Sequence, residues 1–203
     1  MTETVSLRAL ALVCSLKPSP APSSSEKMAR EVLDALGGHG VTGEVVRVVD
    51  HDVKPGVEVD MGEDDEWPAI REKMMAADIL VVATPTWVGH MSSVAQRVLE
   101  RLDGELSETD DTGRPLLSGK VAAVAVVGNE DGAHKITADL MQALDDVGFT
   151  IPAQAATYWN DHAMGGTDYL DLEKTPEAVA STTATLAANT AHLARLLKAN
   201  PYN

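Results

Sequence analysis

Three short stretches gather the residues whose types and spacing could do chemistry. The first, "CSLKPSPAPSSSEK" at 14–27, places Ser15, Lys17, Ser19, Ser23, Ser24 and Ser25 just ahead of an amphipathic run. A helix N-terminus offers unpaired N–H groups and a partial positive charge, so hydroxyls and a lysine there form a phosphate-type anion site. Pro18, Pro20 and Pro22 restrict the chain, which lowers the entropy lost when an anion is gripped. Ser23 and Glu26 also have the spacing of an ordinary capping box, which local geometry alone would satisfy. The second stretch, "TPTWVGHMSS" at 84–93, has Pro85 to stiffen it and Gly89 to let backbone approach a ligand. Thr86 and Val88 flank Trp87, a flat apolar face, and Ser92 or Ser93 can cap the next helix. The third, "GNEDGAHK" at 128–135, offers Gly128, Asn129, Glu130, Asp131 and Gly132 at the opening of a helix, with Asp131 the expected cap.

The first stretch contains neither GxGxxG nor GxxxxGK[ST], so a dinucleotide or triphosphate cradle is not indicated. A serine-lined loop without glycines fits a terminal monophosphate. The chain has only seven Trp, Tyr and Phe residues, yet Trp87, Tyr158 and Trp159 all fall at carboxyl ends of expected strands. That bias favours a planar ligand, against the alternative that large residues plug the sheet end. Glu130, Asp131 and His134 could be read as metal ligands, but capping and ligand-edge contacts explain them more simply, and no metal is expected. His90 reads as a solvated loop histidine, and Cys14 as a small buried hydrophobe rather than a redox thiol.

The elements that must position these residues are legible from apolar runs. Leu7–Val13, Val45–Val49, Ile79–Ala83 and Val121–Val127 are short, unalternating and rich in Val, Ala and Leu, as strands buried on both faces are. Met28, Val32, Leu33 and Leu36 recur at helical spacing before Gly37-Gly38; further stripes run over 94–102 and 136–147, closed by Gly104 and Gly148. A weaker helix is expected over 67–77. A fifth strand is expected at "IPAQAAT", 151–157, where Pro152 suits an edge, and a last helix from Thr175-Pro176-Glu177. Five β-α repeats predict an α/β fold: one doubly wound domain over 1–203, with a parallel sheet in order 2-1-3-4-5 and helices on both faces. Ligands then bind beyond the carboxyl ends of the strands, where the three polar stretches would meet. The segment following the fifth strand, with Gly165-Gly166 as a flexible point, is long enough to cover the ligand or a neighbouring subunit.

Composition narrows the partners. A net charge of −15 over 203 residues argues against nucleic acid and anionic membrane surfaces. The acidic stretch from Glu44 to Glu66 reads as a solvated loop. One cysteine excludes an internal disulfide, a CxxC pair and a cysteine-held cluster within the chain. Near the N-terminus Glu3 precedes the apolar run and Arg8 interrupts it, unlike a signal peptide, and no run reaches a membrane span. A cytoplasmic, soluble protein is expected.

Ser15-Leu16-Lys17 with Ser23-Ser24-Ser25, then Thr84-Pro85-Thr86-Trp87-Val88-Gly89, then Gly128-Asn129-Glu130-Asp131-Gly132-Ala133, together resemble the flavodoxin-like NAD(P)H-dependent FMN reductase superfamily. Lys17 stands where many relatives carry arginine, and the cysteine motif of the iron–sulfur branch is missing. The resemblance implies FMN, its phosphate on the first loop and its ring between the second and third, where backbone N–H groups would bond the pyrimidine edge. It also implies NAD(P)H as co-substrate, a small acceptor such as a quinone or flavin, and a homo-oligomer. No catalytic side chain is named, because the flavin carries the chemistry. Two rival readings are an FMN electron carrier that turns over no pyridine nucleotide and a flavin-free binding module of the same fold.

Overall fold

The computed structural model describes residues 6–161 and 165–202. In chain order the elements are β1 (Leu7–Val13), α1 (Ser24–Gly37), β2 (Val41–Arg47), α2 (Trp67–Ala76), β3 (Ile79–Trp87), a two-residue β4 (His90–Met91) and α3 (Ser93–Leu102). They continue with β5 (Val121–Gly128), α4 (Ala133–Asp146), β6 (Ala156–Asn160) and α5 (Glu177–Ala199). Five strands pair in parallel in the order β2-β1-β3-β5-β6, and β4 folds back antiparallel on the end of β3. Leaving aside that hairpin, this is the expected 2-1-3-4-5 order of a doubly wound, flavodoxin-like sheet.

Both faces of the sheet are covered, which explains why its central strands show no polar alternation. Leu7, Ala9, Ala11 and Val13 pack against Met28, Val32, Leu186 and Ala191 from α1 and α5. Leu10 and Leu12 pack on the opposite side with Trp67, Ile70, Val98 and Leu140 from α2, α3 and α4. α1 ends at its glycine pair, and Ser92 caps α3 by accepting from the Ala95 N–H.

Several boundaries differ from the expectation. β2 starts at Val41, in register with Leu7, because exposed Thr42, Gly43 and Glu44 belong to an edge strand and interrupt the apolar run. Val48–Asp50 is a 3₁₀ turn beyond that strand. The last strand is Ala156–Asn160, not 151–157: Tyr158, Trp159 and Asn160 pair with Val126, Val127 and Gly128. Pro152 lies outside the ladder, and Gln154 turns the chain with φ 57°. Pro176 itself occupies the cap of α5, while the Thr175 hydroxyl turns away to Glu31. Gly132, not Asp131, is the cap of α4.

The acidic stretch is not uniformly solvated. Asp65 and Arg101 form a fully buried ion pair, and the Arg101 guanidinium also donates to the Lys54 and Glu58 carbonyls. Burial pushes the Asp65 pKa up, but Arg101 and the N–H groups of Met61, Lys54 and Trp67 outweigh it, holding the carboxyl well below the usual range. Arg101 on α3 thereby holds much of the connection from β2 to α2, and Arg97 of the same helix adds a bond to the Val53 carbonyl.

Candidate functional site

Loop one leaves β1 at Cys14, whose thiol is buried and pushed up to about 12 by loss of solvent, matching the reading of a packing residue. Ser15 is buried too, and its hydroxyl donates to the Lys17 carbonyl, a local turn that lifts Lys17 into solvent. Ser23 caps α1 by accepting from the Glu26 N–H, but Glu26 does not return the bond and only half of a capping box forms. Its carboxylate instead pairs with Arg30 and Arg47. Ser24 Oγ accepts from the Leu170 N–H, and Ser25 is buried. At the first turn of α1 the Ser24 and Ser25 N–H groups have no intrahelical acceptor, as at every helix start.

Two residues that the sequence did not flag hold this loop in shape. Arg47, buried at the end of β2, donates to the Lys17 and Ala21 carbonyls at 3.2 and 2.7 Å. Asp50 accepts from Ser19 through both N–H and hydroxyl, at 2.7 and 2.6 Å. The signal was present, since Arg47 is a lone charge in the apolar run VVRVV, but its partners lie too far along the chain to be read.

Loops two and three interlock. Val88 and Gly89 both take positive φ, 51° and 72°, at the tip of the β3–β4 hairpin. Their N–H groups donate to the Glu130 carboxylate at 3.0 and 3.2 Å. The N–H groups expected to face a pyrimidine edge are therefore engaged by a side chain of loop three. Gly132, with φ 140°, lies against Gly89 so closely that a Cβ would stand 2.8 Å from the Gly89 Cα. Loop one joins them through Ser92, whose hydroxyl donates to the Cys14 carbonyl at 2.6 Å while Thr84 accepts from the Ser92 N–H. All three stretches thus meet at one end of the sheet.

The remaining candidates find separate partners. Pro85 lies within β3 opposite Val127. Asn129 donates to Asp168, Asp131 accepts from the Gly132 N–H, and His134 meets the Tyr158 hydroxyl at 2.9 Å. Glu130, Asp131 and His134 thus point to three different partners. His90 Nδ1 contacts only the Val88 carbonyl in an exposed position. Within the segment after β6, residues 162–164 lie outside the described residues. Its later part docks on α1: Tyr169 is fully buried, its hydroxyl donates to Glu31 at 2.5 Å, its ring packs on Trp159, and Lys27 donates to its carbonyl. Burial and the adjacent Glu31 carboxylate hold this phenol well above its ordinary pKa.

Three features stand out at this end of the sheet. Trp87 and Val88 are 51% and 88% exposed, an unusual exposure for large apolar groups beside a core. Thr86 is buried, yet its Oγ1 has no hydrogen-bond partner. Any Cβ at Gly128 would stand 2.7 Å from the Thr86 Cβ, so bare backbone is required beside that orphaned hydroxyl.

The sequence model of the family described as NADPH-dependent FMN reductase matches residues 7–163. The chain belongs to this family. It is 34% identical over 208 aligned residues to 8-demethyl-8-aminoriboflavin-5'-phosphate synthase of Streptomyces davaonensis, covering 98% of this chain and 81% of that one. A crystal structure of RosB with the bound intermediate 8-demethyl-8-formylriboflavin-5'-phosphate superposes with a TM-score of 0.88 at 34% identity, over 97% of this chain and 82% of that one. A Mycobacterium bovis protein described as divalent metal cation transporter MntH is 37% identical over 169 residues, 81% of this chain but 25% of its own length. The chain thus spans a quarter of that protein, and among the described residues no helix is long and apolar enough to cross a membrane. Membership of the FMN reductase family makes this a flavin oxidoreductase by descent, with FMN as the family's flavin. The residues present fit that group: an orphaned hydroxyl, a glycine that admits no Cβ, an exposed tryptophan and a helix start behind a serine loop.

Proposed function

We propose that the crest formed by loops one, two and three binds FMN, and that the chain passes hydride equivalents from NAD(P)H to a small acceptor such as a quinone or a free flavin. The observation that carries this reading is the buried, unpartnered Thr86 hydroxyl beside Gly128, a polar group in want of a ligand atom at the end of a sheet. When bound, FMN supplies the hydride chemistry, so no acid or base is required of the protein. The chain's own contribution is binding and orientation. Ser23, Ser24 and the first N–H groups of α1, with Lys17 above them, would hold the phosphate, and Arg47 fixes the loop that presents them. Ser15 and Ser25 act from beneath, as buried supports of that loop. Trp87 would border the ring, and the exposed apolar crest of Leu16, Trp87 and Val88 is the surface that a second copy of the chain would cover in a homo-oligomer.

A second reading draws on the likeness to the Streptomyces davaonensis synthase, whose name makes a modified riboflavin phosphate its product. In that reading the flavin on the crest is substrate. One experiment separates them. With catalytic FMN, excess NADPH and a quinone, the first reading predicts sustained NADPH loss with the flavin recovered unchanged in mass. The second predicts no sustained NADPH loss and, once an amino-group donor and dioxygen are supplied as well, conversion of the flavin to a product of altered mass. Binding of FMN with neither outcome indicates an electron carrier, and colourless protein that ignores FMN overturns the proposal.

A further inference from the structure

Glu130 occupies the one donor pair of loop two that a flavin edge would need. Its carboxylate takes the N–H groups of both Val88 and Gly89, and among the described residues no ion pair includes it. Two backbone N–H groups that converge on one carboxylate form a built anion site, and the half-exposed Glu130 is held by those two donors with no cation of the described residues sharing its charge. A brace for the hairpin is not what the contact adds. Loop two is already fixed by the pairing of Thr86 with Met91 and of Trp87 with His90, by the Ser92 cap, and by Gly132 packed on Gly89.

We infer that Glu130 is an internal competitor of the flavin. In the free protein its carboxylate fills the Val88 and Gly89 donors; a flavin carbonyl that takes those donors must displace it, so the strength of the Glu130 contact sets flavin affinity. This rests on the reading that the ring lies between loops two and three. Charge-assisted bonds are about twice as strong as neutral ones, so Glu130→Gln keeps the shape but weakens the plug, and Glu130→Ala removes it.

Titration of the quenching of tryptophan fluorescence by FMN should show Glu130→Gln binding several-fold tighter, and Glu130→Ala on the order of tenfold tighter, than the parent protein. Riboflavin, which has no phosphate, should gain by the same factor, because the effect belongs to the ring end. Amide exchange at Val88 and Gly89 should be faster in both free variants and slowed again by FMN. The parent protein offers an independent measurement: the carboxyl carbon resonance of Glu130 should move when FMN saturates the site. Variants that bind FMN no more tightly than a parent that binds it, or a Glu130 resonance unmoved at saturation, overturn the competitor while leaving the flavin site standing. A parent protein that binds no FMN overturns both.

Discussion

At the scale of single residues, Thr86 and Gly128 depend on each other. The glycine lets the strands close beside a hydroxyl that has no partner, and leaving such a group buried costs about 1–3 kcal/mol. Thr86→Val keeps the shape and removes the orphan. Free protein should then gain about 1 kcal/mol in denaturant titration, while its affinity for FMN falls several-fold. A variant that loses stability, or binds FMN as before, would place the hydroxyl outside the flavin's reach. Thr86, Gly128 and Glu130 were each visible in the sequence as members of polar loops. Their roles were not, because each acquires its meaning from a partner on another loop: Thr86 from Gly128, Glu130 from Val88 and Gly89.

At the scale of elements, α3 does more than cover the sheet. Its Arg101 fastens the β2–α2 connection through Asp65 and two carbonyls, with no solvent at either charge. Arg101→Met would strand a buried carboxylate and should cost about 3–5 kcal/mol in thermal or chemical unfolding. The Asp65 carboxyl has a lower pKa folded than unfolded, so its contribution is complete above about pH 4, the unfolded value. It should fade as pH falls further, through the folded value, and this acid-dependent part of the stability should vanish in Asp65→Asn. β1 spans the expected residues and β3 and β5 start where expected, because burial on both faces writes a dense apolar pattern, although β3 runs on through Thr84–Trp87, which the sequence assigns to a loop. The two edge strands, β2 and β6, were misplaced for the opposite reason. Half-solvated edges admit residues such as Thr42, Glu44 and Asn160, and the pattern dissolves.

At the scale of the whole molecule, the charge of −15 acts on any anionic partner approaching the crest. The proposed ligands, pyridine nucleotides and flavin phosphates, are anionic, and unscreened like charge would slow their encounter. Raising salt shortens the screening length from about 10 Å at 0.1 M to about 3 Å at 1 M, so the second-order rate with NADPH should rise with ionic strength. A rate that falls instead would mean that the cations of loop one dominate the local field.

The position of Arg47 has a wider outcome. One guanidinium at the tip of an outermost strand grips two carbonyls of the serine loop, and Asp50 just beyond that strand holds Ser19, so the rim of the sheet and the serine loop are fastened together. If the serine loop holds a phosphate as proposed, occupying it would tighten a border strand that no ligand touches, and loosening that border would weaken the grip in equal measure.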